Sequence, residues 1–115
     1  MESFEGGDYV EKVNLDSGRE IDVDMVLLGI GAKANAGLGA DAGLEIGTTG
    51  GIQVDRYMQT SDDSIYSCGD CAEKVSFFDG KPSGLKLASI ACMEARIAGA
   101  NLFTPNRVNM GVIGV

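Results

Sequence analysis

The chain has 115 residues, enough for one domain with a real core and too few for a two-domain enzyme. A net charge of −8 argues against a surface for nucleic acid or anionic lipid, and no apolar run reaches the roughly 18 residues of a membrane span. With three cysteines and no histidine, neither a full disulfide framework nor a closed four-ligand zinc site is expected. The opening "MESFEGGDYVEK" is acidic where a secretory leader would be basic and then apolar, so a soluble, cytoplasmic protein is expected.

From Tyr9 to Leu15 apolar and polar residues alternate, "DSGRE" supplies a polar glycine turn, and "IDVD" resumes the alternation. This pattern predicts a β-hairpin with one solvated face. Met25 to Gly31 is an unbroken apolar run closed by glycine, which predicts a strand buried on both faces. Asn35 to Gly43 can form a short helix capped by Asn35, although Gly37 and Gly39 weaken it. Thr48 to Gly51 reads as a turn, Ile52 to Val54 as a brief strand, and Ile65 to Cys68 as another after the polar turn Ser61–Ser64. A loop with Phe77, Phe78, Gly80 and Pro82 comes after the Gly69-Asp70 turn.

The last element runs from about Lys86 to Phe103, and Pro105 stops it. Leu87, Ile90, Ala91, Ile97, Ala98 and Leu102 share one side of that helix, interrupted by Glu94 and Asn101, which predicts a largely buried helix. Glu94, on the apolar side of the helix, has two readings: a buried acid with a function, or, as is more common, a residue that reaches the helix edge or pairs with a segment outside the chain. The fold class expected is α+β, or a partial α/β: short strands, a hairpin and one long C-terminal helix. The chain opens midway through a β pattern and closes on the apolar "RVNMGVIGV", so it reads as an excerpt of a larger fold.

"SIYSCGDCAE", residues Ser64 to Glu73, holds a Cys-x-x-Cys pair with Asp70 between the cysteines. A working dithiol needs an exposed thiolate of depressed pKa. Here the pair brackets a Gly-Asp turn at a strand end, and Asp70 would tend to raise a neighbouring thiol pKa. The expectation is two reduced, fairly buried side chains, with Cys92 filling space in the helix. Asp62 and Asp63 read as solvated turn acids, Tyr57 and Tyr66 as strand packing, and Lys33 and Arg56 have no assigned role. Asp70 by itself reads as a turn aspartate bonded to its own backbone.

Taken with its flanks, "QTSDDSIYSCGDCAE" resembles the second flavin-binding motif of the pyridine nucleotide-disulfide oxidoreductases. Upstream, "DVDMVLLGIGAKAN" is similar to that family's segment leaving the NAD domain, and "LKLASIACMEARIAGANLF" to the helix that ends its FAD domain. The spacing and "GLEIGTTGGIQVD" most resemble the NADH oxidase and coenzyme A-disulfide reductase branch. The resemblance implies that Asp70 accepts a hydrogen bond from a ribityl hydroxyl of FAD and that Gly69 lets the backbone approach it. It implies that the helix turn beginning at Leu87 and Ala88 faces the pyrimidine edge of the flavin, where free N–H groups favour negative charge. It also puts Gly31 near the NAD side.

Three departures qualify the likeness. Ala34 stands where the family usually has proline. The Gly-x-Gly-x-x-Gly units for the FAD and NAD pyrophosphates and the family's redox cysteine are absent from the sequence. Residues 1–34 are therefore expected to be the C-terminal part of an NAD-binding domain, 35–104 the C-terminal part of an FAD-binding domain, and 105–115 the start of a further domain. FAD and NAD(P)H are the cofactors expected of the parent protein, with none held stably by this chain. The partners expected are the parent's N-terminal part and a second copy of the chain. Two other readings stand beside this one: a small Cys-x-x-Cys redox protein and a non-catalytic, self-associating module.

Overall fold

The computed structural model describes residues Glu2 to Ile113. They fall into two compact units that divide, along the chain, between Gly31 and Ala32. The first unit is a three-stranded antiparallel sheet in the order β1 (Ser3–Gly6), β2 (Val10–Asn14), β3 (Glu20–Asp22). The expected hairpin is β2–β3, with Lys12 opposite Asp22 and Asn14 opposite Glu20. No alternation in the sequence marks β1: it pairs Ser3 with Asn14 and Glu5 with Lys12, and shifts register at Gly6. Val13 is the buried hydrophobic residue of this sheet.

The strand expected from Met25 to Gly31 does not form. Those residues are extended or irregular, and Leu27 is 92% and Ile30 86% exposed. A strand buried on both faces is defined by neighbouring strands, and none of the described residues pairs with this run.

In the second unit, α1 is a short helix, Gly37–Asp41. Ala36, not Asn35, occupies its N-cap, and no side chain caps it. Asn35 stands one position too early to reach the first free N–H groups. Gly39 weakens the helix but is needed: a Cβ there would lie 2.6 Å from Ile52 Cδ1, so the small residue lets α1 pack on Ile52. Ala36, Leu44 and Ile52 form that small cluster.

The expected strands at Ile52–Val54 and Ile65–Cys68 shrink to isolated bridges, Ile52 with Ile46 and Ala72, and Tyr66 with Gln59. A 3-10 turn, Gly69–Cys71, leads into β4 (Lys74–Val75), which pairs with β5 (Pro82–Ser83) around the Phe77-Phe78 loop. The final helix, α2, spans Ala88–Asn101. The expectation of a largely buried apolar face on α2 is not met, for an informative reason. Leu87 and Leu102 are exposed, and the buried residues are Glu94, Ala98 and Asn101. Positions 94, 98 and 101 have helical spacing, so the face turned inward is the polar stripe that interrupts the apolar one. Ala98 joins Met58 and Ala72 in the main core, flanked by Val54, Tyr66, Cys68 and Ile97.

Asn101 ends the helix as a hydrogen-bond hub. Its amide donates to the carbonyls of Tyr57 (2.9 Å) and Arg107 (2.8 Å) and its oxygen accepts from the N–H groups of Asn106 (3.0 Å) and Arg107 (2.9 Å). The side chain is fully buried, and its four bonds, partly buried themselves, satisfy every polar atom of the amide. The segment after Pro105 is thereby drawn back across the unit, where Val112 bridges to Ser76 beside β4. Asn101→Ala would strand two donors and two acceptors and is expected to lower unfolding free energy by about 3 kcal/mol in urea titrations. A loss indistinguishable from that of an exposed alanine replacement such as Ser89→Ala would show that the hub carries little stability.

Candidate functional site

The site is built where the 3-10 turn meets α2. Gly69 opens the turn at φ +76°, a left-handed conformation that glycine adopts without the Cβ penalty. It is buried, and a Cβ there would stand 3.5 Å from the methyl of Ala91 in the first turns of α2. Asp70, the next residue, is exposed, and its carboxylate meets no donor among the described residues. The expectation that a turn aspartate bonds its own backbone is therefore not met, and the carboxylate is open to an outside donor.

Leu87 forms the N-cap of α2 in an extended conformation, and Ala88 is its first helical residue. No side chain caps this end, and the first helical bond runs from the Ala91 N–H to the Leu87 carbonyl at 3.0 Å. The N–H groups of residues 88 to 90 consequently have no helical acceptor, and the positive end of the helix dipole lies beside them. The turn bearing Asp70 and the uncapped end of α2 thus offer an acceptor and a row of donors on elements packed against each other. Gly31 lies in the first unit, exposed and at φ +85°, where a Cβ would meet nothing within 4 Å.

What holds the two elements together is a buried ion pair that the sequence did not reveal. Lys74 Nζ and Glu94 Oε2 are 2.8 Å apart, and both side chains are completely buried. Glu94 Oε2 also accepts the Gly69 N–H at 2.9 Å, while Lys74 donates to the Gly69 carbonyl and, at 3.0 Å, to that of Ala72. The three ammonium protons thus have three acceptors. Asn109 approaches the other oxygen of Glu94 at 3.5 Å and Met58 Sδ at 3.4 Å. Gly69 is gripped at both its N–H and its C=O by one salt bridge. Of the readings of Glu94, the structure shows the buried acid and not the edge position or the partner outside the chain: its partner is Lys74. A glutamate on the inward face of a helix is the available signal, since a buried carboxylate needs a cation.

Cys68, Cys71 and Cys92 are free thiols, the first pair half-buried and the last exposed. Burial pushes the Cys68 thiol pKa up, Cys71 and Glu94 add to the effect, and Lys74 opposes it. The sequence reading expects a raised thiol pKa from Asp70; the direction holds for Cys68, but its causes are burial, Cys71 and Glu94, and Asp70 is not among them. Cys71 Sγ donates to the Cys68 carbonyl at 3.3 Å.

The sequence matches the family model described as pyridine nucleotide-disulphide oxidoreductase over residues 1–95. The chain belongs to this family. Among its relatives, the NAD(P)H sulfur oxidoreductase (CoA-dependent) of Pyrococcus furiosus is 37% identical over 97% of this chain. The NADH oxidase of Methanocaldococcus jannaschii is 36% identical over 89% of it. An FAD-dependent pyridine nucleotide-disulphide oxidoreductase structure from Desulfovibrio vulgaris superposes with a TM-score of 0.86 at 38% identity, covering 96% of this chain and 28% of that one. The family fold is therefore present as a partial α/β piece, with short strands and one long helix. The chain spans about a quarter of the length of these curated relatives, 25% and 22%.

Removing one member of the buried pair leaves the other charged and unpaired. Lys74→Met is expected to cost about 3–5 kcal/mol of unfolding free energy, and Lys74→Met combined with Glu94→Met to recover part of it, since the Gly69 N–H and the Gly69 and Ala72 carbonyls stay unpartnered. Equal losses in the single and double variants would show that the pair does not act as a unit. The thiols give a second check. At neutral pH iodoacetamide should modify Cys92 well before Cys68, and Cys68 should catch up as pH rises toward its elevated pKa, read by peptide mass spectrometry. Parallel rates at every pH would contradict the burial of Cys68.

Proposed function

We propose that the chain supplies one part of the flavin site of an NAD(P)H-dependent FAD oxidoreductase, in the manner of the NADH oxidases and sulfur or persulfide reductases it resembles. The observation that carries this reading is the pairing of an unpartnered Asp70 carboxylate with an uncapped helix end, on two elements fixed through Gly69. These groups fit the two polar demands of a flavin nucleotide. Asp70 would accept a hydrogen bond from a ribityl hydroxyl, and Gly69 would leave room for close approach. Backbone N–H groups at Leu87 and Ala88 would stabilise negative charge on the pyrimidine side of the ring. FAD, when bound, supplies the capacity to take a hydride from a nicotinamide and pass electrons on. The residues of this chain bind and orient; none of them is assigned a proton or electron to transfer.

Gly31 is assigned to the NAD side, where its exposed, left-handed backbone permits near contact. Residues 1–34 would then belong to the nicotinamide-binding part, 35–104 to the flavin-binding part, and 105–115 to the start of a further domain. The remaining three quarters of a relative's length would provide the phosphate-binding loops and the redox cysteine. The isolated chain is accordingly proposed to be inactive and to hold no cofactor stably. A cytoplasmic setting suits its free thiols. Exposed apolar side chains such as Leu27, Ile30 and Phe103 support self-association as a dimer.

A chimera tests the reading. The homologous quarter of the Pyrococcus furiosus enzyme is replaced by this chain, and flavin content is measured from its absorbance. The chimera is expected to retain FAD, and Asp70→Ala within it to weaken FAD binding by roughly 10- to 100-fold, the loss of one charge-assisted hydrogen bond. A folded chimera whose flavin affinity ignores Asp70→Ala would remove Asp70 from the site. The isolated chain should show no NADH oxidation, and turnover by it would overturn the assignment of an accessory part.

A further inference from the structure

Tyr66 faces Gln59 across an antiparallel bridge. The bonds flanking it run from the Ser67 N–H to the Met58 carbonyl (3.0 Å) and from the Thr60 N–H to the Ile65 carbonyl (2.9 Å). That pattern turns the N–H and C=O of Tyr66, and the N–H of Cys68, toward the opposite edge of the segment. None of these three groups has a hydrogen-bond partner among the described residues. An apolar groove of about 430 Å³ runs along this edge, walled by Leu38, Leu44, Ile52 and Ile65. Ser67 lines it as well as Tyr66 and Cys68, so both faces of the segment border the groove, as they do beside an open strand edge. The matching element is residues 25–31. No backbone group of that run is hydrogen-bonded among the described residues, and Met25, Leu27 and Ile30 stand in solvent.

We infer that residues 25–31 of a second copy of the chain lie along the Tyr66–Cys68 edge and fill this groove. Each chain both gives a run and receives one, so the assembly closes at two copies. The contact supplies partners to bare backbone groups and takes apolar side chains out of water in one step. Charge points to the same two surfaces. The chain carries a net charge of −8, yet neither the run nor the groove lining holds a charged side chain. Two such acidic chains repel overall, and here they meet without pairing like charges. The inference deepens the self-association proposed above by naming both of its surfaces, and it is independent of the flavin reading.

The test needs only the chain itself, studied by sedimentation over a concentration series and by hydrogen exchange. A dimer is expected, with the Tyr66 and Cys68 amides protected more strongly as concentration rises. Added salt should tighten it, since screening relieves the repulsion between the two copies. Leu27→Asp alters the run and Leu38→Glu the groove, both at side chains that are exposed in the chain, 92% and 87%. Each should raise the dimer dissociation constant roughly 100-fold, because a carboxylate would enter an apolar contact. Mixing the two variants should recover a dimer with one chain of each, since one intact run and one intact groove remain. A chain that stays monomeric at high concentration overturns both this proposal and self-association. A dimer untouched by either variant keeps self-association and overturns these surfaces, as does a mixture that fails to recover. Should a variant unfold, exchange in the unsubstituted chain decides: Tyr66 and Cys68 amides equally fast at every concentration overturn the proposal.

Discussion

The arrangement of the second unit depends on one salt bridge. Lys74 and Glu94 lie wholly out of water, and an isolated charge there would be intolerable. Their mutual distance is only part of the matter. Each also holds one of the two backbone polar groups of Gly69, so the turn cannot move relative to α2 without exposing a charge or a bare backbone dipole. Hydrophobic burial in this unit is modest: Met58, Ala72 and Ala98 form its centre, and two of the three are alanines. Direction, which apolar contact does not supply, comes from the ion pair and from Asn101 at the other end of the helix.

This division of labour explains which elements are legible in the residues and which are not. The hairpin of Val10 to Asp22 and the span of α2 are legible because period-2 alternation and helix stop signals are local. Met25 to Gly31 misleads because its apolar run carries the composition of a strand, whereas strandedness at such a place is conferred by neighbours. The inward face of α2 is legible only in part. Periodicity places Glu94 and Asn101 on the inward side as interruptions of it, and both are buried because each finds a full set of partners, several of them far away in sequence. Lys74 carries no local mark at all. The Gly69-Asp70 turn is visible through its motif, and the support beneath it is not.

The candidate site has a plain physical character. Its parts are backbone groups and one carboxylate, which makes it tolerant of side-chain identity at Leu87 and Ala88 and strict about geometry. Such a site asks little of the sequence but demands a rigid mount. That fits a family whose members share this fold while their names record different electron acceptors.

The polar stripe of α2 has a consequence for the folding of the unit. A helix seated by leucines can slide or rotate by a turn and still find oil to lie on. One seated by Glu94, Ala98 and Asn101 cannot, because a shift in either direction would leave a carboxylate and an amide facing groups they do not match. The chain thus gives up depth of core for uniqueness of register, and the first turn of the helix comes to rest beside Asp70 in one position only.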